Sequence, residues 1–299
     1  MTASVTAPPG VNGGVTMRGR QPSGAATRIR RAVTRDRLPG IAGIATLAGL
    51  TVLALLARTI APHDPALPVG LPFQAPGSSG APLGTDQVGR DMLSRLLVGL
   101  RTSWLATLTL VAIVATVGGL FGAVAGYVGG FVDGVMMRIV DLFLALPGAV
   151  LAIVIVAIMG PSMPHALLGI GIVAWPYYAR LARTEVRALV SRPHLEAARI
   201  AGASRPRLIF RHLLPGAVPS LIVNASLDLG QVTISLAGLS FLGLGTPAPA
   251  PELGSMSSQG LDYLISNWWI PVLPGLVVLA VAFLANLAGD GIRSLFRYQ

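Results

Sequence analysis

Residues Thr102–Val132 read TSWLATLTLVAIVATVGGLFGAVAGYVGGFV, without one Asp, Glu, Lys or Arg. A helix needs about 20 apolar residues to cross the hydrocarbon core of a bilayer. The stretch is long enough, and only a helix or a closed barrel satisfies its backbone in lipid. Its glycines, Gly118, Gly122, Gly126 and Gly130, recur every fourth residue and so share one helix face. Small residues on one face let a second helix come close. They are read as a helix-packing interface within this chain, compatible with a subunit interface.

Similar uncharged runs lie on both sides: Leu38–Ala57, Leu142–Ala179, His212–Leu227, Leu229–Pro251 and Tyr263–Gly289. Leu142–Ala179 is too long for one helix, and Gly160-Pro161-Ser162-Met163-Pro164 breaks it. Asp228 interrupts a single span over about 215–240. The expectation is an all-α membrane protein with six transmembrane helices, near 38–60, 102–127, 137–159, 165–185, 215–240 and 271–289. The organisation is then a disordered basic tail over 1–37, a first span over 38–60, an outer loop over 61–101 and a five-helix core over 102–293. The uncharged run at 38–57 is longer than the roughly 7–15 residues of a secretory h-region, so it reads as an uncleaved span.

Composition agrees. Of 299 residues, 53% are hydrophobic and 11% charged, against about 25% charged in soluble chains. All 22 basic residues are Arg, so the chain cannot carry a phosphate-loop lysine or a lysine Schiff base. With no Cys and four scattered His, thiolate chemistry is excluded and no metal site is expected. The net charge of +10 would suit nucleic acid, but in a membrane chain arginines set topology. With the N-terminus inside, 18 of the 22 arginines fall in cytoplasmic segments; the opposite orientation leaves four there. Both termini are therefore expected in the cytoplasm and no nucleic-acid partner is expected. Three of the four outer arginines lie in Arg90–Arg101, where Met92, Leu93, Leu96, Leu97 and Leu100 share an arc. That pattern predicts a helix lying in the outer interface before the second span.

The loop Arg180–Arg211 holds eight arginines and the run Pro193-His194-Leu195-Glu196-Ala197-Ala198-Arg199-Ile200-Ala201-Gly202-Ala203-Ser204. Pro193 suits a helix start, Gly202 its end, and Ser204 the cap of a second helix. A short helix between two spans cannot bury itself alone. It is the right length to dock into a groove on a partner.

This run, followed by Ile209-Phe210-Arg211-His212-Leu213-Leu214-Pro215, resembles the EAA loop of ABC importer permeases. The dipeptide/oligopeptide/nickel (DppC/OppC-type) branch is the nearest. Leu83-Gly84-Thr85-Asp86 with Gly89-Arg90-Asp91 resembles its outer motif, and Met137-Arg138-Ile139-Val140-Asp141 its third helix. Leu239-Ser240-Phe241-Leu242-Gly243-Leu244-Gly245 and Gly289-Asp290-Gly291-Ile292-Arg293 resemble its C-terminal half. The likeness covers about residues 80–293. Gly216, Leu236 and Leu253 depart from an Asn, a Glu and a Trp usual there.

The resemblance implies the type I importer permease fold in a bacterial inner membrane. It implies peptides as substrate, with a nickel chelate or heme as alternatives. It implies a heterodimer with a second permease subunit, two ATP-binding subunits carrying ATP and Mg, an extracytoplasmic solute-binding protein, and no cofactor or catalysis in this chain. The coupling loop would span 186–212, with Glu196, Ala197, Ala198, Gly202, Ala203 and Ser204 seated on the ATPase.

Ionisable residues inside a membrane are functional candidates. Asp141 follows Arg138 at helical-pair spacing, which suits an ion pair. Asp228 has no local partner and shares a face with Asn224. Asp141, Asn224 and Asp228 are the candidate pathway residues. A stand-alone secondary transporter would show its coupling groups and an inverted repeat in this chain, and neither is evident. An intramembrane enzyme would need a catalytic pair that the sequence lacks.

Overall fold

Asp91 opens the longest helix. Its carboxylate accepts hydrogen bonds from the backbone N–H groups of Leu93 (3.4 Å) and Ser94 (3.0 Å) and from the Ser94 hydroxyl (2.6 Å). These bonds satisfy donors that a helix start leaves open. The computed structural model describes residues 25–78 and 80–296, with side chains from Leu38 onward. Helix α2 (Met92–Val128) runs 37 residues without a break. At 1.5 Å per residue that is about 55 Å, well beyond a hydrocarbon core.

Residues 92–101 are therefore the first turns of α2, which corrects the expected separate interfacial helix. No Gly or Pro break divides them from the span. Met92, Ser94, Arg95, Leu96, Val98, Gly99 and Leu100 are all buried, so polar and apolar sides alike are covered by protein. The cover is the segment before α2 together with Leu253, Met256, Trp269 and Ile270. Asp86 ties that segment down by accepting from the backbone N–H of Arg90 (2.9 Å) and from Arg90 Nε (2.6 Å). Arg95 donates to the Pro65 carbonyl (2.9 Å), and Trp269 donates through Nε1 to the Thr85 carbonyl (3.2 Å).

The first helix, α1, is Ala25–Ile60, of which Leu38–Ile60 is apolar enough to span. Residues 1–24 of the expected tail lie outside the described residues. After α2 come α3 (Gly130–Leu144), α4 (Gly148–Met159), α5 (Met163–Val190), α6 (Pro193–Ile200) and α7 (Arg205–Leu208). A π-helical turn, Ile209–Leu213, joins α7 to α8 (Leu214–Phe241). The short α9 (Leu253–Gln259) and the long α10 (Trp269–Phe296) complete the order. Among the described residues β structure is limited to isolated bridges.

Among the described residues, four helical runs are long and apolar enough to cross a membrane: Leu38–Ile60, Met92–Val128, Arg205–Phe241 and Trp269–Phe296. The pair α3–α4, bent by 81° at its break, makes a fifth if the two helices are counted as one span. The third span was expected as one helix over 137–159. Pro147 explains the difference: it lacks an N–H and disfavours helical geometry at Leu146. The break expected at Gly160–Pro164 is present. Gly160 ends α4 at φ +89°, and Ser162 caps α5 by accepting from the His165 N–H (3.3 Å).

The main core joins α2, α5 and α8, with Trp104, Tyr178 and Leu236 almost fully buried. Trp104 donates through Nε1 to the Thr51 hydroxyl of α1 (3.1 Å). A second cluster lies under α6, and a third joins Met92 and Leu96 to Leu253, Met256, Trp269 and Ile270. Many other large apolar side chains face outward, Phe131, Ile158, Leu279 and Phe283 among them, as lipid-facing residues do.

Candidate coupling loop and translocation face

Helix α6 is built as its sequence asks. Arg192 is extended before Pro193, and Glu196 sits in the first turn, where the helix dipole favours a carboxylate. Its end is a Schellman motif. Gly202 adopts φ +81° and its N–H donates to the Arg199 carbonyl (3.0 Å), while the Ala203 N–H donates to the Ala198 carbonyl (3.1 Å). Ala198 and Ala203 pack on the cluster below, and Leu195 is fully buried among Val186, Leu189, Leu208 and Leu213. Glu196, Ala197, Gly202 and Ser204 stay exposed, and Ile200 is 83% exposed. Ser204 stands at the N-cap of α7, as expected, but its side chain makes no capping bond. The Arg199 guanidinium lies 5.4 Å from the ring centroid of Tyr127, tying α6 to the end of α2.

Helix α8 carries the other candidates. Ser220, Asn224, Asp228, Gln231 and Ser235 follow each other by three or four residues and form one stripe. Two adjacent tyrosines of α5 meet it. Tyr177 donates from its hydroxyl to Asn224 Oδ1 (3.0 Å), and Tyr178 to Asp228 Oδ2 (2.6 Å). Asp228 thus has a partner, fifty residues away, that sequence spacing could not reveal. Ser220 and Asn224 line a cavity of about 500 Å³, and Gln231 and Ser235 line another of about 570 Å³. Asp228 stands between them along the helix.

Asp141 does not pair with Arg138. It accepts from Arg180 Nη2 of α5 (2.6 Å), with both side chains more than half exposed. The reason is register: the face of α3 carrying Asp133 and Asp141 lies on α5, whereas Arg138 points away and is exposed. Asp133 is the stronger anchor. It accepts from Arg183 Nε (2.5 Å) and Nη2 (2.7 Å), and from Arg187 Nη2 (2.5 Å). Asp133, Arg183, Arg187, Tyr177 and Tyr178 were missed by sequence reasoning. The signal was present: arginines at 180, 183 and 187 share one helix face, as do aspartates eight residues apart.

The glycine face of α2 divides. Gly118 abuts Trp175 and Tyr178, Gly122 abuts Ala179, and Gly126 abuts Arg183 and Val186, so three of the four lie against α5. Gly130, at φ +55° with open space around it, is instead the first residue of α3, just after the Gly129 break.

A short exposed helix between two long apolar helices, beside a polar stripe facing two cavities, defines a helical membrane-transport subunit. The chain belongs to the family described as "Binding-protein-dependent transport system inner membrane component", whose sequence profile matches residues 118–297. It is similar to the probable D,D-dipeptide transport system permease protein DdpC of Escherichia coli K12. That protein is 41% identical over 273 residues, covering 90% of this chain and 92% of the relative. It is also similar to the di/tripeptide permease DppC of Pseudomonas aeruginosa (39% identity, 85% and 86% covered). The glutathione permease GsiD of Pectobacterium atrosepticum is a further relative (37% identity, 84% and 85% covered). A chain of the inward-facing MetNI methionine ABC transporter shares the fold, with a TM-score of 0.51 at 21% identity, covering 69% of this chain and 98% of that one. The chain is a multi-pass inner-membrane permease subunit of an ABC importer, and in this family ATP hydrolysis belongs to a separate subunit.

Proposed function

We propose that the chain forms half of the translocation pathway for di- and oligopeptides. It pairs with a second, different permease subunit and receives substrate from an extracytoplasmic solute-binding protein. The peptide assignment rests on the relatives named above. All six spans cross, α5 among them, with both termini cytoplasmic. Two ATP-binding subunits, carrying ATP and Mg, sit under α6.

The observation that carries this reading is the way α6 is held. Buried Leu195, the partly buried Ala198 and Ala203, the Arg199–Tyr127 contact and a Schellman turn fix it, while Glu196, Ala197, Ile200 and Gly202 stay uncovered. A partner seated there moves α6 and, through Leu195, the ends of α5 and α8. ATP binding must favour one arrangement over the other for that motion to occur. The substrate path follows the α8 stripe past Asn224 and Asp228, with Asp141 at its edge.

The test is ATPase stimulation by loaded binding protein in the reconstituted complex. Glu196→Ala and Gly202→Val each lower the stimulation by roughly 5- to 150-fold, the range of a coupling energy of about 1–3 kcal/mol. The subunits still co-purify. Stimulation and uptake within twofold of the unaltered complex, for both variants, would overturn the assignment of α6.

A further inference from the structure

The cavity of about 500 Å³ opens where α5 leads into the coupling loop, between the start of α8 and the end of α10. Its charged lining is one carboxylate, Glu185, and two guanidiniums, Arg192 and Arg293. Ser220 and Asn224 supply its polar floor. Among the described residues none of these three charged groups takes part in an ion pair. The neighbouring arginines of α5 differ, since Arg180, Arg183 and Arg187 are all engaged by Asp141 or Asp133.

The charge pattern selects among ligands. A phosphate or a lipid headgroup with net negative charge gains from the two arginines but is repelled by Glu185. A simple cation meets the reverse. A molecule with an ammonium at one end and a carboxylate at the other satisfies both signs. The volume lies within the roughly 300–1,000 Å³ of sites that enclose small ligands. The Ser220 hydroxyl offers both donor and acceptor to a peptide backbone, and Asn224, whose Oδ1 already accepts from Tyr177 and whose Nδ2 donates to the Ser220 carbonyl, keeps one N–H and one lone pair.

We infer that this cavity is a binding site within the permease for a short peptide with free termini. Glu185 takes the α-ammonium, and Arg192 with Arg293 takes the α-carboxylate. The site holds substrate after it passes Asp228 and before it leaves. This inference rests on the peptide reading proposed above.

The probe is radiolabelled trialanine, added to the whole nucleotide-free importer in nanodiscs without its binding protein. Free trialanine binds, and its N-acetyl and C-amide forms each bind about tenfold more weakly, the loss of one charged contact. In Glu185→Gln the free and N-acetyl forms become equal, while discrimination against the amide persists. In Arg293→Gln the pattern reverses, and Arg293→Lys restores discrimination in part. Co-purification of all subunits establishes that each variant is assembled. Should Glu185→Gln fail to assemble, Glu185→Asp serves, with discrimination retained but weakened. No binding, or binding indifferent to blocked ends, overturns the site. Uptake of trialanine with the binding protein present is measured alongside. Uptake without end-sensitive binding removes this site and keeps the peptide reading, whereas an importer that moves no peptide removes both.

Discussion

Asp133 is one carboxylate that accepts three hydrogen bonds from two arginines, and its side chain is 5% exposed. A buried acceptor of this kind is costly to remove because the donors are left without an equivalent partner. Asp133→Asn keeps the shape and removes the charge. It should lower the stability of the purified protein by about 2 kcal/mol, less than a fully buried pair because Arg187 is 48% exposed. Asp141→Asn should cost under about 0.5 kcal/mol, since Asp141 and Arg180 are 59% and 54% exposed. Thermal unfolding followed by tryptophan fluorescence separates the two, and equal shifts would contradict the difference in burial. These pairs also mark the limit of what sequence discloses. Arg138 and Asp141 have the spacing of a helical pair, yet α3 presents Asp141 to another helix. Local spacing states which partners are reachable within one helix and is silent about a neighbour forty or fifty residues away. Tyr178 and Asp228 escaped for the same reason.

At the scale of elements, the close approach of α2 and α5 depends on glycines that have no room to grow. A Cβ on Gly122 would run into the Ala179 carbonyl and the Arg183 backbone. Backbone cannot rotate aside as a side chain can, so Gly122→Ala should cost about 1–3 kcal/mol despite the better helix propensity of Ala. Gly134 of α3 supplies the control. Nothing lies within 4 Å of a Cβ placed there, so Gly134→Ala should be neutral or stabilising by up to about 1 kcal/mol. The yield of folded protein after detergent extraction, and its unfolding temperature, decide between these outcomes. A pair of equal effects would mean that Gly122 does not set the helix separation. Elements with local signals were legible: the caps and breaks at Gly160, Ser162, Pro193 and Gly202 all fall where residue chemistry puts them. The bend between α3 and α4 was equally local. Pro147 stood in view inside a run of apolar residues, and hydropathy alone read through it. The first turns of α2 misled for another reason. An apolar arc opposite Arg90 and Arg101 looks amphipathic, but the polar side is covered by a folded outer segment rather than by water.

For the whole molecule, the arginine distribution makes a directional statement that the folded structure by itself does not. A helical bundle alone has no inside and outside; in the proposed topology 18 of the 22 arginines fall on the cytoplasmic side and four on the other. The absence of cysteine gives a clean way to read orientation, because any thiol introduced is the sole one. Ile200 is 83% exposed on α6, and Ile265 is fully exposed between the short helix α9 and α10. In inverted vesicles carrying this chain alone, a membrane-impermeant maleimide should label Ile200→Cys and spare Ile265→Cys; in right-side-out vesicles the pattern should reverse. In the proposed six-span arrangement an even number of crossings separates Ile200 from the N-terminus, and α8 would put Ile265 on the opposite side. Both thiols labelled from the same side would mean that α8 does not cross, and the six-span arrangement would fall. Assembly of the ATP-binding subunits adds a second contrast. Labelling of Ile200→Cys should drop several-fold once they are present, because an apolar side chain in a docked helix loses access to the reagent. Ile265→Cys should be unchanged by them. Protection at both positions would point to a global closure of the permease, and protection at neither would leave α6 without the partner that its exposed face requires.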